Sequence, residues 1–194
     1  MSETPRRGPY AKGIAKREQI LHEALEAYSE SDSSGPSLRA VAARVGLSER
    51  GLLHYFASRD ELFVAILAAR DAADRALFDV DDPIEVLVAN QTHTSRTPGL
   101  VRLFLEMAVA APDSNHAAHD FFTSRYERLR GIVSRMFVRS AVNSRASRPS
   151  QDDAAFAARM LIAASDGLQL QWLLDPTIDL EADLMRLALV LREK

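Results

Sequence analysis

Ser37-Leu38-Arg39-Ala40-Val41-Ala42-Ala43-Arg44-Val45-Gly46-Leu47-Ser48-Glu49-Arg50-Gly51-Leu52-Leu53-His54-Tyr55-Phe56 is the stretch that decides the fold. Leu38, Val41, Ala42 and Val45 recur at helical spacing and form one inward stripe. Ser37 and Ser48 are residues that cap helix N-termini, and Gly46 between them tolerates the left-handed backbone of a tight turn. Ala42 is small where the two helices must cross closely. Leu52 and Phe56, at i and i+4, anchor a second helix over residues 48–56, which leaves Glu49, Arg50, Gly51, Leu53, His54 and Tyr55 facing wholly or partly outward. A capped helix, a glycine turn and a second helix with Arg, His and Tyr outside is a helix-turn-helix suited to the major groove. A plain helical hairpin in a bundle would also use Gly46 and Ser48. The outward cations and the basic segment upstream favour DNA.

The rest of the chain also reads as helix. Ile14, Ile20, Leu21, Ala24, Leu25 and Tyr28 define a first helix that ends in the polar run 29–36, broken at Gly35-Pro36. Ser58-Arg59-Asp60-Glu61 is a capping box that opens a long helix to about Phe78. Asp82-Pro83-Ile84-Glu85 repeats the pattern, with Asp as the cap and Pro at the first helical position. Thr97-Pro98 begins a segment to Ala110, a helix is expected over 114–142, residues 143–150 form a polar loop, and two last helices are expected over 151–174 and 179–192. The fold class is therefore all-α with about nine helices. Residues 1–59 form a DNA-binding domain with a basic N-terminal arm, and residues 60–194 form a helical body.

Charge follows the same division. The chain of 194 residues carries a net charge of −3, which alone would disfavour nucleic acid. Residues 1–59 hold nine basic and seven acidic side chains, net +2, whereas residues 60–194 hold fifteen and twenty, net −5. In the first seventeen residues Arg6, Arg7, Lys12, Lys16 and Arg17 face only Glu3. A basic arm on an acidic body draws phosphates to one end. No stretch approaches the roughly 20 apolar residues of a membrane helix. The first residues lack the apolar segment of a signal peptide, so a cytoplasmic location is expected. The absence of cysteine excludes disulfides, thiolate metal sites and cysteine nucleophiles.

The helix over 151–174 is apolar almost all round and needs cover on more than one side. With the stripe Leu180, Leu184, Leu187 and Leu191 of the last helix it points to a second copy of the chain. Met160, Leu161, Leu168, Leu180, Leu184, Leu187 and Leu191 are the expected interface. Folding back to complete the monomer's own core is the alternative.

The segments Ile20-Leu21 to Ala24-Leu25, Leu38-Arg39-x-Val41-Ala42-x-x-Val45-Gly46-Leu47-Ser48 and Leu52-Leu53-His54-Tyr55-Phe56-x-Ser58-Arg59-x-Glu61-Leu62 resemble the DNA-binding domain of tetracycline-repressor-like regulators. The resemblance covers residues 12–68; beyond it the match is in architecture. It implies a homodimeric, ligand-responsive transcriptional regulator, usually a repressor, whose C-terminal domain holds an effector pocket. The chain departs from the family pattern in carrying Leu53 where Tyr is frequent, and Arg50-Gly51 in place of a small residue followed by Thr or Ala. The loop over 29–36 also lacks the aromatic residue that usually follows a glycine there.

Arg39 matches a family position that reaches a base edge, and a guanidinium can pair two-pronged with guanine for about 1–3 kcal/mol of discrimination. Arg50, His54, Glu49 and Gly51 complete the expected base-reading set, Gly51 by permitting close approach. Ser37, Ser48, Tyr55, Arg59, Lys12, Lys16 and Arg17 are the expected phosphate contacts. Two such heads in a dimer call for a near-palindromic operator on double-stranded DNA.

The candidate effector pocket comprises His93, Phe104, Met107, Phe122, Tyr126, Asp166, Gln169 and Trp172. Aromatic and Met stripes at helical spacing also serve as plain core. Asp166 and Gln169 sit inside an apolar helix, so each needs a partner across a dimer or in a cavity. A small apolar or amphipathic effector with one or two polar anchors is expected. No cofactor and no catalytic or metal site is expected: His116-x-x-His119-Asp120 has helical spacing but no convincing third ligand. Two other readings stay open, a constitutive DNA-binding or partner-binding helical protein with no effector, and a small-molecule enzyme with a helical pocket.

Overall fold

A computed structural model describes residues 9–75, 91, 94–144 and 149–192. Its described residues contain no strand and eight helices of defined bounds, α1 Pro9–Glu30, α2 Leu38–Arg44, α3 Glu49–Leu52, α4 Arg59–Arg75, α5 Pro98–Ala110, α6 His119–Ser144, α7 Gln151–Leu174 and α8 Leu180–Arg192, and Gln91 and Thr94 are helical as well. The expected cap at Asp82 to Glu85, the end of the long helix near Phe78 and most of the loop over 143–150 lie outside the described residues.

Local chemistry sets the helix-turn-helix. The Ser37 hydroxyl accepts from the Ala40 amide and the Ser48 hydroxyl from the Gly51 amide, both at 3.1 Å, so each cap satisfies a donor left over at a helix start. Gly46 has φ +69°, the left-handed conformation the turn requires. Val41, Ala42 and Val45 of the first stripe are buried, as are Leu52 and Phe56, while Leu38 is half-buried. The second helix is shorter than its sequence suggests. At its end the Tyr55 amide bonds the Leu52 carbonyl, and this tight i to i+3 turn swings Phe56 into the core before Ser58 starts α4. In that capping box the Glu61 amide reaches the Ser58 hydroxyl at 3.0 Å, and the Glu61 carboxylate reaches back one residue further than usual, to the Ala57 amide.

α6 likewise begins later than the spacing predicts, at His119. Asp113 accepts from the backbone amide of Asn115 at 2.9 Å, and the Ala118 amide donates to Nδ1 of His116 at 3.2 Å. These side chains offer residues 113–118 turns in place of the first helical bonds.

One continuous core joins α1–α4 to α5 and the start of α6, through Ile20, Ala24, Leu52, Phe56, Leu62, Ile66, Leu100 and Phe122. A second core packs α6, α7 and α8 through Val133, Phe137, Ala158, Leu161 and Leu184. α5 lies between the two, against α1 and α4 on one side and α7 on the other. Its approach to α1 is very close: a Cβ at Gly99 would stand 2.0 Å from the Ser31 hydroxyl and 2.7 Å from the Tyr28 carbonyl oxygen. The aromatic cover missing from the loop over 29–36 comes from α1, where the buried Tyr28 ring lies against Gly35 and edge-on to Phe63, with centroids 6.0 Å apart.

Candidate DNA-reading face and effector site

Arg39, Glu49, Arg50 and His54 are all exposed on α2, α3 and the turn after α3, with Gly51 half-buried among them. Among the described residues no hydrogen bond or ion pair holds Arg39 or Arg50, so both guanidiniums keep all their donors for a ligand. The His54 ring stands edge-on to the half-buried Tyr55, with centroids 5.8 Å apart. Arg44, by contrast, turns back to α1 and meets Glu30 at 2.6 Å, Glu23 at 3.5 Å and Glu26 at 3.6 Å. Its guanidinium holds the Glu30 carboxyl below the usual carboxylate range. One arginine of the helix-turn-helix therefore staples α2 to α1, while the other two stay outside.

The seven residues expected to touch phosphate divide in the same way. Lys12 is exposed and makes no described contact. Lys16 donates to the Val45 carbonyl at 2.9 Å and to Gln19 at 3.1 Å, placing its charge at the C-terminal end of α2 where carbonyls are unsatisfied. Arg17 lies 4.7 Å above the Phe56 ring and 3.8 Å from Glu61. A phosphate contact from Lys16 or Arg17 would have to share or displace these partners. Arg59 lies over the Phe63 ring at 4.7 Å, and the Ser37 and Ser48 hydroxyls remain exposed. The Arg44, Lys16 and Arg17 contacts were hidden from sequence reasoning because their partners come from other helices.

In the body the structure joins Tyr126 and Asp166 directly. The Tyr126 hydroxyl donates to the Asp166 carboxylate at 2.6 Å, linking α6 to α7. Burial pushes the Asp166 carboxyl above the ordinary range, opposed by this hydrogen bond and by the charge of Arg125. Burial also raises Tyr126, with the neighbouring Asp166 charge acting in the same direction. Gln169, three residues on, is 6% exposed, and its Oε1 has no hydrogen-bond partner. The Phe104 and Phe122 rings meet at a tilt with centroids 5.2 Å apart, as do Phe122 and Tyr126 at 5.9 Å, but Phe104, Met107 and Phe122 are buried in the first core. Trp172 packs with Val101 and Leu180, at the edge of a cavity of about 470 Å³ that also touches Gln91, Ser95 and Asp179. His93 lies outside the described residues.

Several residues that sequence reasoning missed hold this region in place. Asp71 of α4 binds Arg125 at 3.2 Å and Arg128 at 2.9 Å, fixing α6 against α4. Arg125 also covers the Phe104 ring at 4.8 Å. His116 meets Asp60 at the start of α4 at 3.3 Å, and Gln91 donates to Ser165 at 3.2 Å. Neither Asp71 nor the two arginines stand out in sequence, because each resembles an ordinary surface charge. Among the described residues no group of three metal-ligating side chains converges, and no helix is long and apolar enough to cross a membrane.

The apolar α7 is covered by α5, α6 and α8 and leaves one stripe open: Phe156, Met160, Ala163, Leu170 and Leu174, spaced four, three, seven and four residues apart. Leu170 is 51% and Leu174 81% exposed, and Leu189 and Val190 of α8 are exposed as well. Of the expected interface residues, Met160 belongs to this stripe. Leu161, Leu180 and Leu184 are instead buried inside the chain, which corrects their assignment: a side chain enclosed by its own monomer has no surface left for a second one. Leu168, Leu187 and Leu191 are half-buried against the second core.

Comparison with known proteins follows the same two parts. Residues 20–66 match the bacterial regulatory proteins of the tetR family, and residues 85–192 match the C-terminal domain of BetI-type transcriptional repressors. The HTH-type transcriptional regulator RutR of Escherichia coli (strain K12) is 38% identical over 53 residues, a match covering 27% of this chain and 25% of that protein. Among solved structures, a transcriptional regulator from Rhodococcus sp. Rha1 aligns with TM-score 0.65 at 23% identity, over 91% of this chain and 96% of the other. A TetR transcription regulator from Haloarcula marismortui aligns with TM-score 0.68 at 17% identity, over 93% and 97%. NalD of Pseudomonas aeruginosa, the secondary repressor of the MexAB-OprM multidrug efflux pump, aligns with TM-score 0.55 at 18% identity, over 93% and 95%.

Proposed function

Because the chain belongs to the TetR family of bacterial regulatory proteins, we propose that it is a cytoplasmic, homodimeric repressor that a small apolar or amphipathic effector releases from a near-palindromic operator. The observation that carries this reading is the contrast between Arg44, neutralised by three glutamates, and Arg39 and Arg50, exposed and unengaged on the same helix-turn-helix. An arginine kept free of local partners retains the planar donor fork that reads guanine. Repression is the sign carried by NalD and by BetI-type proteins, the relatives whose names state one.

In this proposal residues 1–59 are the reading head and residues 60–194 the effector-binding and dimerisation body. The open stripe of α7, with Leu189 and Val190, is the face that meets the second chain. Two heads held at a fixed separation read two half-sites one helical turn of DNA, or a multiple, apart. The effector acts by preferring an arrangement of the helices in which that separation is wrong, and its power to release DNA equals its difference in affinity for the two arrangements. Asp71, bound by Arg125 and Arg128, and Asp60, bound by His116, are the places where a shift of α6 would reach α4 and the head.

The test is fluorescence anisotropy on a selected operator and on scrambled duplex. Arg39→Ala should reduce the preference for the operator about tenfold while leaving nonspecific binding in place; Lys12→Ala should weaken both duplexes alike and flatten the salt dependence. A uniform loss with Arg39→Ala contradicts its base-reading role.

A further inference from the structure

The inner length of α7 holds acceptors short of donors. Asp166 and Gln169, three residues apart, share one face of α7. An ionised carboxylate only accepts hydrogen bonds and has room for about four. Asp166 receives one, from Tyr126, and no ion pair with it appears among the described residues. Arg125, the cation whose charge acts on it, is occupied with Asp71 and with the Phe104 ring. Gln169 is almost fully buried, and its Oε1 has no partner, a condition that ordinarily costs about 1–3 kcal/mol. A buried and a half-buried acceptor on one helix face, both short of donors, suit a molecule that brings N–H groups. The Tyr126 ring stands beside Asp166 with the Arg125 guanidinium 5.9 Å from its centroid, a place where a cation already lies against the ring, and Trp172, one turn beyond Gln169, packs with Val101 and Leu180 and adds an apolar wall.

We infer that the effector class is a protonated primary or secondary amine on an apolar body, its N–H groups donating to Asp166 and Gln169. This rests on the ligand-responsive reading above and gives it a chemistry. A carboxylate effector would bring a second negative charge next to Asp166. The buried Nη1 of Arg125, which also lacks a partner, makes a carboxylate the necessary control.

The experiment is calorimetry and thermal shift on the full chain with a matched series: 2-phenylethylamine and longer arylalkylamines, the corresponding alcohols, and the corresponding carboxylic acids. Amines are expected to bind and raise Tm, alcohols to bind at least tenfold more weakly, and acids not at all. Asp166→Asn and Gln169→Met, both close to isosteric, are each expected to weaken amine binding tenfold or more while the protein stays folded by circular dichroism. Acids binding as well as amines, amine affinity unchanged in both variants, or no amine binding at millimolar concentration overturns the inference. Operator binding is measured separately. Amines that bind without releasing DNA leave the ligand chemistry standing and refute the release mechanism, whereas DNA release by acids alone does the reverse.

Discussion

Replacing Gly99 with alanine tests the seam between head and body. The new Cβ would lie 2.0 Å from the Ser31 hydroxyl, 2.7 Å from the Tyr28 carbonyl oxygen and 3.1 Å from the Asp32 carbonyl oxygen. Ser31 can rotate away, but it then gives up its 2.9 Å hydrogen bond to Tyr28, about 0.5–1.5 kcal/mol. The Tyr28 carbonyl cannot rotate away, since it belongs to the last turn of α1. α5 must therefore draw back from α1 by about half an ångström or more to restore ordinary contact. Overpacking of this kind costs about 1–3 kcal/mol, and alanine's better helix propensity returns at most about 1 kcal/mol. The balance is a destabilisation of about 0.5–4.5 kcal/mol, which at this chain length lowers Tm by roughly 1–18 °C. Urea and thermal unfolding followed by circular dichroism measure it. Adding Ser31→Gly should recover only part of the loss, because the carbonyl contact remains. A Tm equal to or above that of the parent, or full recovery in the double variant, refutes the close-approach argument.

Leu170→Arg, on the open stripe of α7, should convert the proposed dimer to monomer in sedimentation velocity without unfolding it. Leu161→Ala, in the core of the same helix, should cost about 2–5 kcal/mol of stability and leave the proposed dimer assembled in native buffer. The same outcome for both variants would mean that the faces of α7 are misassigned. Asp166 supplies a pH test. Its native pKa is raised by burial, so its contribution to stability is complete below its ordinary value of 3.8 and is lost as pH rises through the native value. Asp166→Asn, which still accepts from Tyr126 but cannot ionise, should raise Tm at pH 7 and change it little at pH 4; equal shifts at both pH values contradict this.

The head was legible in sequence because its signals are local. Ser37, Gly46 and Ser48 each act within three residues of their own position, and the structure shows each in its expected state. The ends of α3 and the start of α6 were less legible. Turn hydrogen bonds at Tyr55 and around Asp113 compete there with helical spacing that is otherwise sound. In the body, Tyr126 and Asp166 were both in view as separate candidates, yet their bond spans 40 residues of sequence. The faces of α7 were the least legible feature. A helix that is apolar all round carries no pattern to say which side faces α6 and α8 and which is left open. The small residues Ala154, Ala157 and Ala158 settle it in three dimensions by letting α7 pack closely, and this turns Phe156 and Met160 outward.

Whether the chain reads DNA as a pair is decided by incubating the purified chain with fragments of its source genome at physiological salt, sequencing what is retained, and determining the mass of the complex. The expected result is a near-palindromic site bound by two chains or a multiple of two, with half-sites spaced by one helical turn or a multiple, and loss of preference at one base position of each half-site in Arg39→Ala. Retention without a shared motif, or a single chain on a non-repeated site, would contradict it.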